Sequence, residues 1–507
     1  MSELLLILDF GGQYKELIAR AVRELGVYSE IRSGETSADE IKSLAPIGII
    51  FTGGPNSVYL PESPLCDPMI LTLGIPILGI CYGMQMICHM LGGKVLQSEY
   101  GEYGVVDAEL DIKSALFADT GIKNAVLMSH NDYVKELPRG FVNTGTTQDC
   151  INAACENKTR KLYGVQFHPE TEQTVQGRKI LNNFIYSICG AKGDYLVDDY
   201  IDAQVRFIRE EVGKENILLA LSGGVDSSVC AALLSKAVLE QLICIFVDHG
   251  FMRQNEGDEI ENVFSKMPLK FIRVNAQERF LQKIKDIIDP ELKRKLIGEE
   301  FIRVFEEKAA KLGNIRFLAQ GTIYPDIIES GGKIGATIKS HHNVGGIPNT
   351  LTFDKIIEPL SSLFKDEVRL LGEKLGLPKI ITKRQPFPGP GLAIRIMGDV
   401  TEEKLDILRV ADKIACEEIE ELKERPDQYF AVLTNVQTVG VKGDDRTYDT
   451  VIAVRAVLTR DFMTCEYAAI PHETLGRISM RITSEIKKVS RVVYDITSKP
   501  PGTIEWE

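Results

Sequence analysis

The chain has 507 residues and little that would tie it to a membrane. Its longest apolar stretches, such as 75–81 and 243–247, are the length of a strand and far short of a span. It has no basic N-terminal region and no cleavage site before the first apolar run, which speaks against secretion. It has no Cys-x-x-Cys pair. Ten cysteines are scattered along it, most in apolar surroundings, and they are expected as buried thiols in a reducing cytoplasm rather than as a disulfide framework. It lacks basic charge: 59 Lys and Arg stand against 72 Asp and Glu, a net −13. That excludes nonspecific nucleic-acid binding, which needs a basic surface, but not a nucleotide substrate, which needs only a few local cations. There is no internal repeat, no low-complexity tract and a single Trp.

What is present is a hydrophobic content of 44% and a charged content of 26%, ordinary for a globular protein. The length is enough for about three domains. The most informative segment is 219–228, Leu-Ala-Leu-Ser-Gly-Gly-Val-Asp-Ser-Ser. An apolar run reads as a buried parallel strand. Gly223 and Gly224 allow a sharp turn and a close backbone approach to a ligand. The helix that follows turns its free N–H groups back toward that turn, where unpaired donors and the helix dipole both favour an anion. Ser222, Ser227 and Ser228 add hydroxyls. The segment is not Gly-x-x-x-x-Gly-Lys-Ser/Thr. It resembles the pyrophosphate loop of enzymes that split ATP between its α and β phosphates.

Residues 1–190 alternate short apolar strands, at 4–9, 47–51 and 75–80, with helices, which implies a parallel sheet wrapped by helices. Ligands of such sheets bind beyond the C-terminal strand ends. Three groups fall there. Cys81, within Gly79-Ile80-Cys81-Tyr82-Gly83, sits on a strand-to-helix elbow between glycines, the arrangement that presents a nucleophile, at a helix start that favours thiolate. His168 and Glu170 follow another strand, and strand alternation is expected to put them on one side, a base held by a carboxylate. Thr52-Gly53-Gly54-Pro55 can aim backbone N–H groups at a developing oxyanion.

Together these segments resemble the triad-type (class I) glutamine amidotransferases. The resemblance implies that Cys81 attacks the glutamine amide, His168 moves protons and Glu170 orients His168. It places the oxyanion hole at the N–H groups of Gly54 and Tyr82, and the glutamine against Gln85, Ser129 and His130. His130 is the rival for the base and ranks second.

Residues 195–382 carry a helical pattern over 197–212, the pyrophosphate loop, a strand ending at Val247-Asp248 and a third strand over 317–319. Asp226 reads equally as a first-turn residue at the helix dipole and as a ligand for Mg²⁺ on ATP. By composition Lys365 is a surface charge. His341 and His342 are adjacent and point apart, a poor metal pair, so the segment 339–346 reads as a mobile loop and no zinc is expected. The Pro- and Gly-rich stretch 385–392 marks a junction. Lys379, Lys383, Arg384 and Arg395 around it read as a solvated linker or as a phosphate-binding edge. Residues 400–507 mix a helix over 401–423 with strands at 429–436, 450–457 and 492–496, an α+β pattern. The single Trp beside Pro-Pro-Gly suggests a tied-down terminus, where most fray.

A triad-type glutaminase joined to Ser-Gly-Gly-Val-Asp-Ser-Ser, with the 385–392 and 499–507 segments, resembles the GMP synthetase family over essentially the whole chain. The implied fold is α/β: a doubly wound glutaminase domain (1–190), a parallel ATP pyrophosphatase domain like the adenine nucleotide α hydrolases (195–382), and an α+β dimerisation and XMP-binding domain (383–507). The implied substrates are glutamine, ATP and XMP, with Mg²⁺ on the ATP and no organic cofactor. ATP would meet Ser222, Gly223, Gly224, Val225, Asp226, Ser227, Ser228, Val247 and Lys365. XMP would meet Arg294, Gln437, Lys499 and Glu505. A cytoplasmic homodimer is expected, with no nucleic-acid or membrane partner. Asp248-His249-Gly250-Phe251 departs from the neutral, less bulky turn the resemblance suggests. Two rivals stand beside this reading: a pyrophosphate-loop enzyme acting on another acceptor, such as a tRNA base, and a non-catalytic nucleotide sensor.

Overall fold

The computed structural model describes residues 3–313, 315–329, 353–459 and 464–507. The segment 339–346 lies outside the described residues. The chain divides into two compact units, Met1–Leu196 and Val197–Glu507.

The first unit is built on a nine-stranded sheet. Its parallel part runs Tyr28–Ser33, Leu4–Asp9, Gly48–Phe51, Ile77–Ile80, Leu162–Val165 in spatial order. Gly48–Phe51, Ile77–Ile80 and Leu162–Val165 are fully buried apolar runs, as strands of a sheet covered on both sides require, whereas Tyr28–Ser33 is a polar, half-buried edge. Antiparallel strands follow at Ala154–Asn157, Val142–Thr146, Lys94–Leu110 and Lys123–Glu136. The last two pair so that Glu102 faces His130.

The second unit holds two sheets. The first is parallel, in the order Lys270–Asn275, Leu242–Asp248, Ile217–Leu221, Phe317–Ala319, Lys355–Ile357. The direction of winding reverses between Ile217–Leu221 and Phe317–Ala319, so a crevice opens at their C-terminal ends. Strand Leu242–Asp248 shows how the faces are divided. Ile243, Ile245 and Val247 enter one core, and Leu242, Cys244 and Phe246 the other. The first of these cores continues into the last part of the chain through Leu405, Leu408, Leu433, Ile452 and Val454.

The second sheet of this unit has Gln428–Lys442 antiparallel to Asp445–Leu458, with Val489–Asp495 parallel to the latter. The helix Glu402–Glu420 packs on it, capped by the Thr401 side chain. Val436, Val439, Val441, Tyr448, Val493 and Ile496 remain exposed.

Candidate functional site

Three adjacent parallel strands end side by side in the first unit. Gly48–Phe51 runs into Gly53 and Gly54, Ile77–Ile80 into Cys81, and Leu162–Val165 into His168. The Cys81 N–H donates to Val165 O at 2.8 Å, and the Gly83 N–H to Thr52 O at 3.1 Å, so the three ends are stitched together. Cys81 has φ 51° and ψ −106°, a strained conformation for a residue with a side chain. Glycine on each side makes it possible. A Cβ at Gly79 would lie 2.5 Å from the Gly83 carbonyl carbon, and one at Gly83 would lie 2.6 Å from Phe51 O. The helix Tyr82–Met90 starts directly after the thiol.

His168 is buried and its Nδ1 lies 2.7 Å from Glu170 Oε1. The pair does not sit on a strand, contrary to the expectation from alternation. The strand ends at Val165, and 166–170 form a turn. Thr171 and Thr174 hold that turn by donating to the His168 carbonyl at 3.0 and 2.7 Å. Tyr14 packs edge-on against the imidazole. Burial alone would pull His168 down. The Glu170 charge and the hydrogen bonds to Cys81 and Glu170 outweigh it and hold the imidazole well above its ordinary range. An NMR titration of the imidazole should therefore show a downward shift in Glu170→Gln and a smaller one in Cys81→Ala; no shift in Glu170→Gln would contradict this account.

Gly53 and Gly54 line the same corner. A Cβ on Gly53 would lie 3.3 Å from His168 Cε1 and 3.8 Å from Cys81 Cβ, and one on Gly54 3.1 Å from the Tyr82 ring. Ser129 O lies 3.9 Å from Cys81 Sγ. Gln85 is buried, and its Nε2 donates to Asp132 O at 2.7 Å and to Gln166 Oε1 at 3.2 Å. Sequence reasoning gave Gln166 no role, yet its Nε2 lies 3.5 Å from Cys81 Sγ.

His130 also has an acid two positions on, Asp132, so spacing does not rank the two histidines. Contacts do. One Asp132 oxygen accepts from the Tyr59 hydroxyl at 3.1 Å. His130 Nε2 instead lies 3.3 Å from Glu102, its partner across the strand pair. Glu102, His130 and Cys150 bring ligand-type atoms within 4.8 Å of one another. The other Glu102 oxygen accepts from Thr147 at 2.9 Å. Burial, then the Glu102 charge, push the Cys150 thiol up to about 12. Thr147 links Glu102 to the Cys150 backbone, whose N–H donates to the same hydroxyl at 2.9 Å, while His130 Nδ1 is buried with no partner.

In the second unit, 222–224 form the turn after Ile217–Leu221, and the helix Val225–Val238 starts on Gly224. Gly223 has φ 79°, which a side chain adopts only with strain. Ser222 and Ser227 hydroxyls lie 2.9 Å apart, and the Gly224 N–H donates to Ser222 Oγ at 3.3 Å. The Ser228 hydroxyl is buried and has no partner. Lys365 Nζ donates to both Asp226 oxygens, at 2.7 and 2.5 Å, so the two sequence candidates meet. Val247 lies on the neighbouring strand, paired with Val274, with its side chain in the core.

The basic residues around 385–392 do not form one edge. Lys383 pairs with Glu373 at 2.8 Å. Arg384 donates to Gly223 O at 2.6 Å and pairs with Glu256 at 2.9 Å, which ties it to the pyrophosphate loop. Arg395 is fully buried, stacked on Phe430 and bonded to both Glu505 oxygens at 3.0 and 2.8 Å. It is therefore no solvated linker: Glu505 and Asp412 pair its charge inside the fold, and its Nη1 is buried with no hydrogen-bond partner.

The C-terminal tail is tied down as the sequence suggests. Trp506 Nε1 donates to Asp495 at 2.9 Å, and buried Arg455 donates to the Ile504 and Thr503 carbonyls at 2.8 Å each. Arg294 donates to Glu507 O. Glu505 lines a cavity of about 490 Å³ with Asp495, Thr503 and Trp506. Lys499 exchanges backbone hydrogen bonds with Cys465. Arg294 and Glu505 are thus both anchored through the tail, and Gln437 is exposed, opposite Thr450 after a bulge.

The departure at 248–251 pairs Asp248 with Arg273 at 2.6 Å and buries the histidine beside it. His249 lies between Phe251 and Phe280, and burial pushes its pKa from 6.5 down to about 4, against the pull of Asp248. The folded value lies below the unfolded one. Its contribution is fully present above 6.5 and is lost as pH falls toward 4. The loss is on the order of 3 kcal/mol. Urea unfolding at pH 7 and at pH 4.5 should show a larger loss for the native chain than for His249→Gln; equal losses would contradict this assignment.

The geometry defines a class I glutaminase centre in one unit and an adenine-nucleotide type α/β crevice in the other. The family comparisons agree. The glutamine amidotransferase class-I family matches residues 6–188, NAD synthase residues 200–299, and the GMP synthase C-terminal domain residues 417–506. The glutamine-hydrolysing GMP synthase of Acetivibrio thermocellus is 58% identical over 509 aligned residues, covering 100% of both chains. Those of Clostridium botulinum (strain Kyoto) and Treponema denticola are each 57% identical, covering 100% of this chain and 100% and 97% of theirs. The chain belongs to the glutamine-hydrolysing GMP synthase family, enzymes that use ATP. No helix among the described residues is long and apolar enough to cross a membrane.

Proposed function

We propose that this chain converts XMP, ATP, glutamine and water into GMP, AMP, diphosphate and glutamate, the last step of de novo GMP synthesis. The strongest support is one chain carrying Cys81 beside His168–Glu170 at adjoining strand ends and a Ser-Gly-Gly loop at the winding reversal of a second parallel sheet.

Cys81 Sγ attacks the side-chain amide carbon of glutamine. His168 takes the thiol proton and returns it to the departing ammonia, while Glu170 holds the imidazole and its charge. The Gly54 and Tyr82 N–H groups donate to the oxyanion. Water then cleaves the thioester. Ser129, His130 and Gln85 hold the substrate. Both Gln85 donors are spent on Asp132 and Gln166, so it offers its Oε1 as an acceptor.

At the second centre the C2 oxygen of XMP attacks the α phosphorus of ATP. The loop N–H groups, the Ser222, Ser227 and Ser228 hydroxyls and Lys365 hold the diphosphate as it leaves, and the backbone at Val247 adjoins the adenosine. Ammonia attacks C2, and AMP departs with the oxygen. Activation is needed because a ring carbonyl oxygen leaves poorly and an adenylate leaves well. The Asp226 carboxylate is a hard oxygen donor at the loop, which fits Mg²⁺; bound there, Mg²⁺ would neutralise charge on the phosphates. Arg294, Gln437, Lys499 and Glu505 hold XMP, with Arg395 positioning Glu505.

We assign these tasks to domains 1–190, 195–382 and 383–507. The exposed apolar face that includes Val439, Val441 and Tyr448 supports a homodimer through the last of them, and the free, largely buried cysteines support the cytoplasm as its setting. The test is product identity by ³¹P NMR: AMP and diphosphate, dependent on XMP, are expected, and ADP with orthophosphate would refute the reading.

A further inference from the structure

Gln166 is fully buried, and its N–H is fixed to Ala153 O at 2.8 Å, so its side chain has little freedom. It ends a chain of three contacts that begins at a backbone carbonyl. Asp132 O can only accept, so Gln85 must turn its Nε2 toward it, at 2.7 Å. The same Nε2 lies 3.2 Å from Gln166 and needs a second acceptor, so Gln166 must present its Oε1. That leaves Gln166 Nε2 facing Cys81 Sγ, at 3.5 Å. The polarity of both side-chain amides is therefore set by a group that cannot reverse. Gln166 thus offers the sulfur a donor at 3.5 Å, closer than the Ser129 carbonyl acceptor at 3.9 Å.

A fixed donor favours the anion over the thiol. The titratable groups near Cys81 are His168, with Glu170 behind it, and Cys150. Cys150 stays protonated, and His130 is engaged by Glu102. His168 supplies the opposing charge but must give up a proton during the reaction. A neutral amide that neither titrates nor moves is the complementary support.

We propose that Gln166 is a catalytic residue of the glutaminase: its Nε2–H holds Cys81 as a thiolate, oriented by way of Gln85 from the Asp132 carbonyl. The proposal rests on the reading of Cys81 as the nucleophile. It names a function for a position inside the His168 turn that carries no charge and no nucleophile, and so has no signal of its own.

The test is alkylation of Cys81 by iodoacetamide in the full chain, followed by peptide mass spectrometry from pH 5 to 9. Gln166→Met keeps the size and removes the donor. Its alkylation rate at pH 7 is expected to fall about tenfold, with the pH profile displaced upward by about one unit, the worth of a hydrogen bond to a charged group. Gln166→Glu should shift the profile further, because a second anion faces the sulfur. Glutamine kcat should fall in step while KM stays near its native value. Gln166→Asn, which withdraws the amide from the sulfur, covers the case in which Gln166→Met does not fold, and should move the profile in the same direction. A native profile in the folded variants overturns the proposal. Glutaminase activity persisting in Cys81→Ala would instead overturn the nucleophile reading, whatever the Gln166 profiles show.

Discussion

Cys81→Ala should lose GMP formation from glutamine by about 10³-fold or more, the scale set by deleting a nucleophile, and keep formation from ammonium salts within about twofold. The physical reason is the separation of tasks. Cys81, His168 and Glu170 sit on strand ends of the first unit, and the pyrophosphate loop is built wholly within the second. Alanine removes the sulfur but keeps a Cβ, so the strained turn at φ 51° faces no new bulk. Steady-state assays with each nitrogen source, at equal free ammonia, are the check. Equal loss with both sources would mean that the thiol supports the adenylating centre as well.

Lys365→Met should lower GMP formation from both nitrogen sources by about 10²-fold, the cost of removing one preorganised charge from a phosphoryl centre. Lys365 begins the helix Lys365–Lys374 and reaches Asp226 in the first turn of the helix Val225–Val238. Without ATP the ammonium neutralises that carboxylate. With ATP bound, the phosphates would compete for the same cation while Asp226 turns to Mg²⁺. Methionine keeps the stem and strands the carboxylate. The rate should therefore fall even at saturating ATP. A change confined to the ATP KM would show that Lys365 binds the nucleotide without assisting departure of diphosphate.

Much of this was legible because buried parallel strands are written as unbroken apolar runs. The segments 4–9 and 317–319 coincide with strands, and 47–51 and 75–80 each contain one that starts one or two residues later. Chemistry placed at their ends was therefore placed in space. What was not legible depends on register and burial. His130 meets Glu102, 28 positions earlier, because two antiparallel strands align there, and no local pattern encodes such a pairing. The His168–Glu170 contact was anticipated for the wrong reason: a turn held by two threonines brings them together, not a pleat. Arg395 was read as solvated linker or phosphate-binding edge because its partner Glu505 lies 110 positions away. Gln166 carries neither charge nor nucleophile, so only its distance to Cys81 reveals it.

The central claim is that the oxygen on C2 of XMP is loaded with AMP before ammonia arrives. XMP labelled with ¹⁸O at C2, turned over with ammonia and unlabelled ATP, tests it directly by mass spectrometry of the recovered AMP. The expected result is one ¹⁸O in the phosphate of each AMP formed. Label released into water or diphosphate, with AMP unlabelled, would contradict it.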